Sequence, residues 1–207
     1  MPQDSVNRNV ATDAIINQYS EFQLEQLSQN LAQLYDMICR GEFSTAHFGV
    51  NLITTVHERI WVGVVDHAGR IRTRDWGAEY LDFGPNRSEH RNAVREKLET
   101  LCHWVDSTLR RLEENSDAPE YELNAYTVAA FAQAELVRIH PFMDGNGRIG
   151  RALTDIVLVR LGFGVVRIDA VKDEYYATLN VYHTTKKPDE FVDLLLQCAN
   201  PDFSKSL

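Results

Sequence analysis

Residues 123–139, LNAYTVAAFAQAELVRI, constrain the fold of this chain more than any other stretch. Val128, Ala129, Ala130, Ala132, Ala134, Leu136 and Val137 spread apolar surface around the whole circumference of a helix. Such a helix belongs at the centre of a bundle, covered on every side. A second apolar helix is predicted from about Gly147 to Leu161, with Gly162 and Gly164 ending it. The two are joined by HPFMDGNGRIGR, His140 to Arg151. A core helix pair interrupted by so polar and glycine-rich a stretch calls for a chemical reason.

The remaining pattern is also helical. Ile15, Ile16, Tyr19, Phe22, Leu24, Leu27, Leu31, Leu34 and Ile38 recur mostly at three- and four-residue steps. They predict a helix from Thr12 to Cys39, capped by Thr12 or Asp13 and stopped by Gly41. Val50 to Val65, Ser88 to Glu114, Glu174 to Val181 and Asp189 to Gln197 are further helices. His67 to Asn86 is rich in β-formers and punctuated by Gly69, Gly77, Gly84 and Pro85, which predicts a turn and a β-hairpin or extended flap. The expected fold is all-α, about seven helices with one small β-hairpin flap.

A hydrophobic fraction of 44% in 207 residues suffices for one real core. A net charge of -9 argues against general nucleic-acid binding, which needs clustered Lys and Arg, but leaves room for a local anion pocket. Cys39, Cys102 and Cys198 are too scattered for a disulfide framework or a zinc pattern. No apolar run approaches the ~20 residues of a membrane span. The N-terminus lacks the parts of a signal peptide. A cytoplasmic chain is expected, with secretion by a signal-independent route left open.

In the central stretch, a helix starting at Asn146 or Gly147 leaves its first N–H groups unpaired, and these favour an anion. Gly145 and Gly147 keep side chains away, so a phosphate could come close to the backbone; a tight turn explains them as well. Arg148 and Arg151 stand three apart and suit a polyphosphate, or a solvated basic face. Asp144 could hold Mg²⁺ against that polyphosphate, or cap the helix. His140 could serve as a base near neutral pH, or sit as a capping or core histidine. No histidine at i+3 or i+4 supports zinc. Walker and protein-kinase glycine loops are absent.

The stretch resembles the signature of the Fic family, H-P-F-x-[DE]-G-N-G-R-x-x-R, at His140, Pro141, Phe142, Asp144, Gly145, Asn146, Gly147, Arg148 and Arg151. Val56 to Asp75 is similar to the family's helix and A-G-x-x-R segment, with His67 where relatives often carry Trp. The likeness implies a Fic domain over residues 45–200, a helical N-terminal extension over 1–44 and a tail over 201–207. It implies transfer of AMP from ATP to a Ser, Thr or Tyr hydroxyl of a target protein, with pyrophosphate released. His140 would then be the base. Asp144 would hold Mg²⁺. Gly145, Asn146 and Gly147 would hold the α-phosphate, and Arg148 and Arg151 the β- and γ-phosphates. A flap at about 72–84 would dock the target. Tyr175, Tyr176 and Asn180 are nucleoside-side candidates, or core packing. UMP transfer, phosphoryl transfer and a non-catalytic nucleotide-binding module are the alternatives.

Many Fic proteins are restrained by a glutamate in [ST]-x-x-x-E-[GN] that pairs with the second motif arginine. Glu114-Asn115 and Ser20 to Glu25 both miss this pattern. The resemblance therefore implies a separate antitoxin-like partner supplying a Glu to Arg151, as in toxin–antitoxin pairs, or restraint by other means. The N-terminal helix could pack on the domain, mediate a homodimer or inhibit.

Overall fold

The computed structural model describes residues 19–168 and 172–199. Seven helices and one hairpin make up this part: α1 Glu21–Cys39, α2 Val50–Trp61, β1 Asp82–Phe83, β2 Asn86–Arg87, α3 Val94–Glu113, α4 Tyr121–Ile139, α5 Asn146–Arg160, α6 Lys172–Thr185 and α7 Asp189–Ala199. The all-α expectation holds, and the hairpin is the small antiparallel pair Asp82↔Arg87, Phe83↔Asn86.

α4 is the axis of the bundle. It packs against α3, α5, α6 and α7, and eleven of its residues from Ala125 to Ile139 are buried. α5 comes closest because Gly150 faces α4: a Cβ there would lie 2.9 Å from Gln133 Cγ. α1 packs across α2 and α5. Its amides fasten it, with Asn30 donating to the carbonyls of Ile60 and Val62 at 3.0 and 2.9 Å and Gln23 donating to that of Val64 at 2.8 Å.

Several boundaries differ from the sequence expectation, among them α6, expected over Glu174 to Val181 and found at Lys172–Thr185. The described part of the first helix starts at Glu21, where Ser20 and Gln23 form a capping box; the expected caps Thr12 and Asp13 lie outside the described residues. α2 stops at Trp61 rather than Val65, and Gly63 turns the chain with φ +74°. α3 begins at Val94 rather than Ser88, because residues 88–91 bond sideways: Ser88 N–H to the Leu81 carbonyl at 2.8 Å and Arg91 N–H to that of Glu79 at 2.9 Å. The flap expected at about 72–84 is a hairpin of residues 82–87, and Arg72 at its supposed start is fully buried.

The three cysteines are free. Among the described residues no helix is long and apolar enough to cross a membrane.

Candidate active site

The polar stretch between α4 and α5 is a tight turn held from three directions. α4 ends at His140, which adopts the left-handed conformation at φ 54° and ψ 60°. Arg72 fixes that end. Its guanidinium donates to the His140 carbonyl at 2.7 and 2.9 Å and to that of Ile139 at 3.2 Å. It also reaches the carbonyls of Ala78, Glu79 and Glu89, and its own N–H bonds to the Pro141 carbonyl at 2.8 Å. A buried cation is tolerable here because carbonyl oxygens surround it; burial lowers its pKa to about 10.

From α2, His57 stacks on Phe142 with 3.8 Å between ring centroids. Its Nδ1 accepts from Gly69 N–H at 2.7 Å, so Nε2 carries the proton and donates to the Asp144 carbonyl at 3.3 Å. Burial pushes this imidazole down to about 4, which keeps it neutral. Asn146 closes the turn from within: Oδ1 accepts from Phe142 N–H at 3.0 Å and Nδ2 donates to the Phe142 carbonyl at 2.9 Å.

The two glycines of G-N-G have different reasons. Gly145 has φ +78°, and a Cβ on it would lie 2.2 Å from Trp61 Nε1. Its bareness makes room for the indole. Gly147 is helical, and a Cβ there would meet only Arg151 Nη1 at 3.7 Å. Its bareness leaves the helix start open. Gly145 is the N-cap and gives α5 no side-chain cap, so the first N–H groups of α5 stay available to an anion.

All ten residues singled out from the sequence line one cavity of about 850 Å³. His140 is mostly buried. Its Nδ1–H donates to the Val137 carbonyl at 3.1 Å, which leaves the Nε2 lone pair as acceptor. Burial lowers its pKa to about 4, with the Val137 bond opposing and the Arg72 charge adding. Phe83 of the hairpin stacks on the imidazole at 4.2 Å and 10°.

Asp144 accepts from Gly145 N–H at 2.6 Å through Oδ1. Its Oδ2 accepts a hydrogen bond from the Tyr19 hydroxyl. Burial and the Asp144 carboxylate raise that phenol well above its usual range. Arg148 lies over the Trp61 ring at 5.0 Å, and Arg151 stands 5.9 Å from the centre of the Tyr175 ring. Neither forms a salt bridge among the described residues.

On α6, Tyr176 is 47% exposed and Tyr175 is 4% exposed. Asn180 Oδ1 accepts from Asn86 Nδ2 at 2.6 Å and so ties α6 to the hairpin. Among the described residues no group of three or more His, Cys, Asp or Glu could hold a metal.

Tyr19, His57 and Phe83 are site residues that sequence reasoning missed. Tyr19 and His57 sit in apolar-periodic helical stretches, and Phe83 sits in the flap without mark. Only Arg72 carried a signal, as the last residue of Ala68-Gly69-Arg70-Ile71-Arg72.

The model of the Fic/DOC family matches residues 47–158. Protein adenylyltransferase fic-1 of Caenorhabditis elegans is 34% identical over 133 residues, covering 62% of this chain and 23% of that protein. The chain thus spans about a quarter of that relative's length. The solved structure of C. elegans Fic-1 (residues 134–508) superposes with a TM-score of 0.67 at 24% identity, over 90% of this chain and 52% of that one. The ADP-bound N-terminal Fic domain of a VirB-translocated effector from Bartonella quintana gives 0.64 at 17% identity, over 85% and 84%. The matched stretch includes α2, with His57 and Trp61, as well as Arg72 and the whole 140–151 turn. With the bundle superposing on Fic domains too, the chain belongs to the Fic/DOC family.

Proposed function

We propose that this chain transfers AMP from ATP to a Ser, Thr or Tyr hydroxyl of a target protein and releases pyrophosphate. The turn 140–151 carries this reading. It brings a neutral imidazole, an open helix start and two arginines to one cavity. The adenylyltransferase names of the relatives and the ADP on the B. quintana domain support it.

The α-phosphate would rest on the N–H groups at the start of α5, which stabilise the charge that grows there. Arg148 and Arg151 would hold the β- and γ-phosphates. Because Nδ1–H is committed to Val137, Nε2 would take the proton of the attacking hydroxyl. The hydroxyl oxygen bonds to the α-phosphorus. The bond from that phosphorus to the bridging oxygen breaks, and pyrophosphate leaves with the electron pair. Asp144 suits Mg²⁺, since a single carboxylate beside a phosphate site is the usual protein share for this ion. Mg²⁺ bound there would neutralise phosphate charge. The lack of a three-ligand cluster among the described residues gives zinc no support.

The hairpin, with Phe83 over His140, would dock an extended target segment by strand addition. Tyr176 and Asn180 line the same cavity and would contact the nucleoside. The phosphate contacts do not read the base, so UMP transfer is the second reading. An inhibitory partner would place a carboxylate on Arg151, which has no ion pair among the described residues.

The test is labelling of a lysate with α- or γ-labelled ATP plus Mg²⁺. Over a lysate without the chain, added label from α-ATP alone is expected, reduced by roughly 10² to 10⁴ in His140→Ala. Added γ-label over that control, or full labelling by the variant, overturns the proposal.

A further inference from the structure

The hairpin is too short to stand alone. Its strands, Asp82–Phe83 and Asn86–Arg87, have two residues each, and a two-stranded hairpin is marginal in water even when longer. The Arg87–Asp82 ion pair is exposed on both sides and adds little. Ser88 holds the base, where its hydroxyl accepts from Leu81 N–H at 2.9 Å. At the turn, nothing lies within 4 Å of the place a Gly84 Cβ would take. The tip therefore depends on what it touches across the cavity.

Two contacts anchor it. Phe83 stacks on His140 at 4.2 Å and meets the His183 ring edge-on at 5.7 Å. Asn86, the partner of Phe83 in the antiparallel pair, donates through Nδ2 to Asn180 Oδ1 at 2.6 Å. Among the described residues this is the one hydrogen bond from the hairpin to α6. Both asparagines are half-buried and line the cavity. A terminal amide can turn between two opposite orientations, one end accepting and the other donating. With its carbonyl engaged by Asn86, Asn180 keeps its NH2 for a ligand. Without Asn86, no described residue fixes which end of that amide is offered.

We propose that Asn86 is a positioning residue that links the two substrate sites: by holding the Asn180 carbonyl it presents the Asn180 NH2 to an acceptor on the nucleobase, and a base held there steadies the hairpin in return. The coupling is reciprocal, because one amide serves both partners. Bound nucleotide thus firms the strand edge to which a target segment would add. This rests on Asn180 contacting the nucleoside, as proposed above. It gives a hairpin residue a part in nucleotide affinity, which docking of the target alone does not require.

The test uses the full chain and two probes, a non-hydrolysable ATP analogue and tripolyphosphate, which lacks the nucleoside. Hydrogen exchange of the amides of residues 81–88 reads the hairpin, and calorimetry reads affinity. In the wild type the analogue should slow this exchange about threefold to tenfold, the effect of one neutral hydrogen bond, and tripolyphosphate should leave it within about twofold. Asn86→Ala should lose the slowing and bind the analogue about threefold to tenfold more weakly, with tripolyphosphate within about twofold. Wild-type exchange that ignores the analogue, or slows equally with tripolyphosphate, overturns the inference. So does Asn86→Ala weakening both probes equally or neither. Asn180→Ala separates the two levels. If it selectively weakens the analogue while Asn86→Ala does not, the nucleoside contact stands and the positioning role fails. If it leaves the analogue unchanged, the nucleoside contact itself fails and the inference with it.

Discussion

Replacing Gly145 and Gly147 one at a time by alanine should give opposite phenotypes. At Gly145 the backbone is left-handed, φ +78°, and the new methyl would fall 2.2, 2.7 and 2.8 Å from Nε1, Cε2 and Cζ2 of Trp61. Trp61 is completely buried, so it has no room to retreat. A left-handed alanine costs about 1–2 kcal/mol, and forcing a methyl into a packed core typically costs about 1–3 kcal/mol. Together these give roughly 2–5 kcal/mol. For a chain of this size that lowers the melting temperature by about 5–15 °C. Gly147→Ala adds a methyl at ordinary distance inside a helix, where alanine is preferred by up to ~1 kcal/mol. Its melting temperature should stay level or rise slightly. Its affinity for a non-hydrolysable ATP analogue should fall about tenfold or more, since the methyl stands where a phosphate would approach the amides. Differential scanning calorimetry and titration calorimetry on both variants provide the assay. Pairing Gly145→Ala with Trp61→Phe should recover the clash part of the loss but not the backbone part. A Gly145→Ala melting temperature within ~2 °C of wild type, or unaltered nucleotide binding by Gly147→Ala, would refute the division of roles between the two glycines.

Tyr19→Phe removes a donor from Asp144 Oδ2 and should tighten Mn²⁺ binding, read by paramagnetic resonance with the ATP analogue present, about two- to fivefold; unchanged or weaker binding means Tyr19 does not compete for that oxygen. Asp155 is buried, accepts from Val166 N–H at 2.9 Å and has its carboxyl pushed up to about 7 by burial. A folded-state pKa raised above the unfolded one stabilises the fold fully in acid and loses that contribution as pH rises from about 4 to about 7. The melting temperature of Asp155→Asn minus that of wild type should therefore increase across this window and level off above it, whereas a constant difference would show that Asp155 ionises normally.

Legibility in the sequence followed the range of the contacts. The apolar circumference of α4, the glycines at 145 and 147, and the three-residue step between the arginines are local features whose physics can be written without knowing what lies opposite. The two glycines and the two arginines all line the cavity. What stayed hidden depends on meetings across the chain. Nothing near Tyr19 says that its hydroxyl faces Asp144, 125 positions away. Nothing near Gly145 says that an indole needs its missing methyl. The hairpin could not be narrowed to residues 82–87, because β-propensity over residues 67–86 does not show that Arg72 turns inward, which commits the first half of that segment to carbonyl contacts instead of a strand.

Arg72 also bears on the order in which the molecule is made. It binds carbonyls 67 and 68 positions further along, at Ile139 and His140. Closing so long a loop costs entropy that is recovered only once both ends are in place. During synthesis Arg72 leaves the ribosome well before α4, and the turn it holds cannot settle until α4 has docked. A nascent or partly folded chain therefore lacks the formed turn, and under the proposed function nucleotide binding would arrive only with the completed core.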